Sequence, residues 1–374
     1  PITITNTTSS LTDYQVLVTL DTQSLISAGK MRTDCGDIRF TDSDGTTLLS
    51  YWLESGCNTA STKTWVKVPS IPANSTKTIY VYYGNPSATS ESNLQETLVR
   101  AEIQNNDISL GSDTSSGCPP SSTIDYWTNF CRSDRPSGEG PEKRDDAEGI
   151  PGHNGYAYIS AHNYNFRGMY QIVDIPGYIP YVFSFNGRSY PTADGDCSGT
   201  CGLPAPCGQS ALYLYYLNSA GNEMGYTLFW WYYFGLTSSQ VTTNCGIFNH
   251  QLTGGDSWTH YTFVGDENLI PSSVDKLQIA KIKIHTGLYT GSSSLATQRF
   301  DDFQIYLRKY TSPEPTIRVG EEEVVANVNA KVVLSSACPE GENVFCYRRP
   351  ITITNTTSSL TDYQVLVTLD TQSL

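Results

Sequence analysis

The side chains able to do chemistry are scattered along the chain. Carboxylates are the most numerous, and two of them a fixed few ångströms apart across a sugar-sized cleft would make a glycosidase. Glu102, Glu142, Glu148, Asp174, Glu223, Asp301 and Asp302 are the candidates. Glu142 and Glu148 fall in "GEGPEKRDDAEG", a polar loop that keeps them solvated, and Glu321, Glu322 and Glu323 form a hydrated charge run. Of the histidines His153, His162, His250, His260 and His285, none sits in H-E-x-x-H, and no G-x-S-x-G occurs. The sequence points away from an enzyme. "DD" at Asp301 and Asp302 stands apart, because adjacent strand side chains face opposite ways and one of the two must turn inward or to an edge. A buried carboxylate needs a counter-charge. A hard cation, an arginine such as Arg100 or Arg299, or simple exposure would each answer.

Aromatic side chains offer binding rather than catalysis. "YLYY" and "FWWYYF", joined by "NSAGNEMG", predict a hairpin whose alternation buries Leu212, Leu214, Trp230 and Tyr232 and presents Tyr213, Tyr215, Trp231 and Tyr233. Flat exposed rings stack on sugars, but they also build subunit interfaces, and an ordinary core is a third reading. Ten cysteines complete the inventory: Cys35, Cys57, Cys118, Cys131, Cys197, Cys201, Cys207, Cys245, Cys338 and Cys346. "CSGTCGLPAPCG" lacks the second knuckle a zinc site needs, so disulfides are expected. Connectivity does not follow from sequence; pairing of neighbours (Cys35–Cys57, Cys118–Cys131, Cys338–Cys346) is the guess. Disulfides persist in oxidising surroundings or hyperthermophile cytosol. The sequons at Asn6, Asn74 and Asn355 fit an exported, glycosylated surface.

These residues must be held by strands. "YQVLVTL", "DIRFT", "TWVKV" and "KTIYVYYG" alternate with period two, and "TDSDG" supplies a hairpin turn. Residues 1–95 are therefore expected to form a small antiparallel β-sandwich. A second strand-rich stretch, with "GYAYISA", "GMYQIVDI", "YVFSFNG", "WTHYTFV" and "KLQIAKIKIHTGLY", predicts a larger jelly-roll-like sandwich over residues 96–318. Residues 319–349 read as a linker, stiffened by "SPEPT" just ahead of it, and a connecting hairpin. The fold class is all-β. A net charge of −14 without a Lys/Arg cluster excludes nucleic acid. The longest apolar run, "LFWWYYFGL", is about half a bilayer span, so this segment has no membrane span. With no initiator methionine or signal-like start, the sequence reads as a mature chain or an excised fragment.

Residues 350–374 repeat residues 1–25 letter for letter. A tandem array, an exchange of terminal strands between copies, and an artefactual overlap all explain this, and repeats decide architecture.

"DIRFTDSDG", "YWLES", "WVKVPSIPANSTKTIYVYYGNP", "FDDFQIYLRKYTSPEPTIRVGEE" and "YRRPITI" resemble domain-of-unknown-function family 2341, a β-rich module of exported prokaryotic proteins. "VRAEIQNNDI", "DSWTHYTF" and "FDDFQI" resemble, less specifically, jelly rolls of the carbohydrate-binding type. The first resemblance implies location and fold, with no established activity. The second implies a structural calcium held by Glu102 and Asp302, with Asp301 as substitute; no cofactor is otherwise required. The leading expectation is a structural subunit of an extracellular filament or surface array whose partners are copies of itself, head to tail. The alternative is a carbohydrate-binding or adhesive module of a cell-surface protein, with glycans as partners.

Overall fold

The computed structural model describes residues 1–111, 124–131, 141–145, 148–161, 166–190, 209–233, 248–253, 257–289 and 296–323. Residues 2–319 form one compact unit; the other, Pro1 with residues 320–374, is described only at Pro1 and residues 320–323.

The first sandwich pairs two antiparallel sheets. One contains β1 (Ile2–Asn6), β3 (Arg39–Thr41), β4 (Leu48–Leu49), β7 (Ser75–Tyr82) and β20 (Thr316–Val319) in the order β20-β1-β7-β3-β4; the other runs β2 (Leu11–Leu20), β6 (Thr62–Ile71), β5 (Tyr51–Ser55). Alternation decides which residues enter the core: Ile2 and Ile4 from β1, and Tyr14, Val16, Val18 and Leu20 from β2, are all buried. Cys35 and Cys57 form a disulfide across 22 residues, worth about 3 kcal/mol through the unfolded chain. The other cysteine side chains lie outside the described residues, and so do the expected pairs Cys118–Cys131 and Cys338–Cys346.

One segment departs from expectation. Thr316–Val319, read as part of the stretch leaving the second sandwich, returns to the first and pairs with β1 from Ile2↔Val319 to Thr5↔Thr316. The other edge of β1 is taken by β7. The repeated block therefore contains an inner strand, paired on both sides, and an open sheet edge is avoided there. The copy at residues 350–374 lies outside the described residues.

The second sandwich is larger. Its first sheet has the order β10-β11-β19-β13-β17, from β10 (Glu142–Arg144), β11 (Tyr156–Ala161), β19 (Ala296–Lys309), β13 (Tyr178–Tyr190) and β17 (Thr259–Val264), with β8 (Val99–Arg100) also on β19. Its second sheet has the order β16-β15-β14-β18-β12-β9, from β16 (Phe248–Gln251), β15 (Glu223–Tyr233), β14 (Gln209–Leu217), β18 (Lys281–Tyr289), β12 (Phe166–Asp174) and β9 (Thr128–Cys131). Between them lies one core that includes Phe183, Phe185, Leu212, Leu214, Phe229, Trp231, Ile282, Ile284, Phe300 and Phe303.

The two sandwiches share a third apolar cluster. Trp65, with Leu17 and Trp52, packs from the first onto Tyr181, Val182 and Tyr306 of the second. Glu54 accepts from both the Trp65 indole (2.7 Å) and the Tyr181 hydroxyl (2.6 Å). Arg308, almost fully buried, pairs with Asp266 (3.2 Å) and with Glu314, which also accepts from the Tyr14 hydroxyl (3.0 Å).

Candidate functional site

The outer face of the β16-β15-β14-β18-β12-β9 sheet gathers the aromatic residues. Strand alternation sends Ile282 and Ile284 of β18 into the core and turns Lys281, Lys283 and His285 outward. On β14 the same rule buries Leu212, Leu214 and Tyr216 and leaves Tyr213 and Tyr215 half-buried on the outside. Register aligns these positions into rows. Leu228, Tyr213, His285, Tyr170 and Thr128 are successive partners across β15, β14, β18, β12 and β9. Tyr226, Tyr215, Lys283 and Ile172 form the next row. At about 4.8 Å per strand the longer row spans ~19 Å.

The rings touch one another. Phe130 stacks on His285 (4.7 Å between centroids, 9° between planes), over Gly168, where a side chain would collide with the Phe130 ring. Tyr213 lies 5.6 Å from Tyr215 and 5.6 Å from His285, and Tyr215 lies 5.1 Å from Tyr226. The Lys283 ammonium sits 4.6 Å from the Tyr215 ring and 2.7 Å from Glu223. Burial, reinforced by Lys283, holds the His285 imidazole down at about 4, so it is neutral at pH 7. This arrangement presents flat ring faces edged by phenol, imidazole and ammonium groups.

The predicted pairs meet mixed fates. Tyr213 and Tyr215 stand where alternation put them. Trp231 does not: it is buried in the core, donating to the Tyr261 hydroxyl (2.9 Å) and packing on Phe300. The reason is register. Leu212 faces Phe229 and Tyr213 faces Leu228, so Tyr226, Leu228 and Trp230 lie on the outer side, where Trp230 is buried, as expected, against Ala211 and Leu228. The Tyr233 side chain lies outside the described residues. Sequence reasoning missed Tyr170, Tyr226, Phe130, Lys283 and His285. The "KIKIH" alternation marked the last two as outward-facing, but nothing in it shows that β18 lies beside β14.

The expected calcium ligands do not converge. Glu102 is exposed, and Asp302, in a left-handed conformation (φ 52°) at a bulge, accepts from Gln304 (2.9 Å). Asp301, fully buried, has both oxygens engaged: one by the backbone N–H of Asp302 (2.8 Å), the other by His153 Nδ1 (2.5 Å). His153 takes the place proposed for a cation or an arginine. Burial pushes the Asp301 carboxyl up to about 7, with His153 pulling the other way. Among the described residues no three His, Cys, Asp or Glu side chains stand together as a metal would require. The remaining carboxylates are each tied separately: Glu142 to Arg144, Glu148 to Arg299, Asp174 to Lys281 and Glu223 to Lys283.

The sequons also separate. Asn6 is buried; its amide donates to the Ser9 and Pro72 carbonyls (2.8 and 2.9 Å), leaving no room for a glycan. Asn74 is exposed at the turn between β6 and β7. Asn355 lies outside the described residues.

Residues 34–110 match the family model described as "Domain of unknown function (DUF2341)". The match begins beside the disulfide loop and runs past the first sandwich into the start of the second. No curated protein matches the chain. Among solved structures, TmCBM61 in complex with β-1,4-galactotriose is 13% identical, with a TM-score of 0.30 over 56% of this chain and 99% of that one. The family 11 carbohydrate-binding module of the Clostridium thermocellum cellulosomal cellulase Lic26A-Cel5E is 11% identical, with a TM-score of 0.27 over 52% and 95%. The enzymatically active domain of bacteriophage CBA120 tailspike protein 4 is 12% identical, with a TM-score of 0.30 over 54% of this chain. This chain spans 23% of the tailspike chain. These likenesses are distant. No helix among the described residues is long and apolar enough to cross a membrane.

Proposed function

We propose that the second sandwich binds a glycan on the outer face of its six-stranded sheet, within a carbohydrate-binding or adhesive module of an exported surface protein. One observation carries this reading: Phe130, Tyr170, Tyr213 and Tyr215 surround His285, with Tyr226 against Tyr213 and Tyr215, in rows set by strand register. A sugar has C–H faces and hydroxyl edges, and half-buried rings with polar tips complement both. The disulfide fits an oxidising compartment. The test is native electrophoresis of the full chain in gels containing soluble polysaccharides. At least one polysaccharide should retard the wild type, and Tyr213→Ala with Tyr215→Ala should weaken that binding by about tenfold or more without lowering the melting temperature appreciably. No retardation by any polysaccharide defeats the reading.

A second reading, assembly with further copies of the unit, is favoured by the repeated block. In residues 1–25 the core-facing Ile2, Ile4 and Val16 are accompanied by Tyr14 and Gln15, which bond Glu314, Lys309 and Thr97. Residues 350–374 carry the same complement, and only another copy of the unit offers the same partners again. Sedimentation of the full chain against a chain of residues 1–349 tests it: association should require the repeated block, and equal monomeric behaviour at every concentration removes the idea.

A further inference from the structure

Resting on the glycan reading, we infer that this face selects neutral polysaccharides and rejects uronate- or sulfate-bearing ones, because its formal charges cancel within the face itself. Two lysines point outward from β18, and each meets a carboxylate from a different strand. Lys283 is held by Glu223 of β15 at 2.7 Å, and Lys281 by Asp174 of β12 at 3.2 Å. His285, between Tyr213 and Tyr170, is uncharged at neutral pH because it is enclosed by Phe130, Tyr213 and Tyr215. The other outward residues of the two rows, Leu228, Tyr226, Thr128 and Ile172 among them, carry no charge. The chain as a whole stands at −14, so the long-range field repels polyanions, and no uncapped cation on the described face offsets it.

The capping pairs are not needed for folding. Glu223 and Asp174 are 49% and 74% exposed, and such pairs contribute roughly 0–1 kcal/mol. They can therefore be removed without unfolding the sheet, which makes the inference testable in the full chain. The probes are β-1,4-galactan and β-1,3-1,4-glucan as neutral polymers, and polygalacturonate and heparin as acidic ones, in native gels at about 50 mM salt, where charge effects are strong. The wild type should be retarded by a neutral polymer and by neither acidic one. Glu223→Gln combined with Asp174→Asn frees both lysines and should tighten heparin binding by about twofold to fivefold per lysine, an effect erased by added salt.

Retardation of the wild type by an acidic polymer, lost in the Tyr213→Ala, Tyr215→Ala variant, overturns the charge inference while leaving the glycan site standing. A double capping variant that gains no heparin affinity also overturns it. Retardation by none of the four polymers removes the glycan reading and this inference together.

Discussion

Asp301→Asn probes the most unusual electrostatic feature of the second sandwich. The wild-type carboxyl is fully buried with His153 as its partner, and burial raises it from 3.8 to about 7. The direction of the pH effect follows. Between about pH 4 and 7 the folded protein retains a proton that the unfolded chain has released, so stability falls as pH rises across that window. Each pH unit corresponds to about 1.4 kcal/mol, which sets a ceiling of ~4 kcal/mol, with the opposing pull of His153 already counted in it. For a sandwich of this size that is a fall of at most about 8–16 °C in melting temperature. Asparagine imitates the protonated acid and keeps an acceptor for the Asp302 N–H. Thermal melts from pH 4.5 to about 8.5 should therefore show a wild type that weakens towards neutrality and a variant with a flatter profile, the more stable of the two at the alkaline end. Parallel profiles, or a variant less stable than the wild type at high pH, would refute the assignment of that proton.

Three further outcomes are expected. Trp65→Ala removes the indole that packs on Tyr181 at 4.8 Å and donates to Glu54; it should cost about 3–5 kcal/mol and split a single calorimetric transition into two. Gly168→Ala forces a methyl group into the Phe130 ring and the Thr286 carbonyl; a loss of ~1–3 kcal/mol and weaker polysaccharide retardation should appear together. Secretion from a eukaryotic host, followed by peptide mass spectrometry of the folded product, should find a glycan at Asn74 and none at Asn6.

The first sandwich was legible because most of its strands keep their apolar alternation, even where Leu17, Trp52 and Trp65 meet the second sandwich on the other face. "YQVLVTL" alternates, and Tyr14, Val16, Val18 and Leu20 are buried as that pattern requires. The second sandwich hides its pattern. All six residues of "YAYISA" in β11 are buried, so period two vanishes there. "FWWYYF" is aromatic on both faces, so only pairing with β14 fixes its phase; Trp230 is buried as expected, but Trp231, expected outside, lies in the core. β20 was missed for another reason: "TIRV" alternates over only four residues, behind two prolines, and it is the β1 edge that makes them a strand. The His153–Asp301 pair spans 148 residues, and the row from Tyr170 to Leu228 joins strands far apart in sequence. No local pattern encodes such contacts.

The topology bears directly on how the glycan face would act. The chain leaves the first sandwich after β7, builds the second, and returns through β20 to pair with β1. The second sandwich is thus an insertion tethered at two points, and Trp65, Tyr181 and the buried Arg308 fill the seam between them. A module on a single linker averages over orientations; one held at both ends keeps its binding face at a fixed angle to the first sandwich. If the unit recurs, each copy presents its face at that same angle to its own first sandwich, and the effective concentration of a further site then depends also on the link between copies. Weak binding by one face would then suffice, because linked sites raise avidity by about 10²–10⁴ when they can engage one polymer together. Loosening the seam with Trp65→Ala should leave single-site affinity near its original value and reduce the avidity of a multi-unit chain; if both fell equally, the seam would be shaping the site itself rather than orienting it.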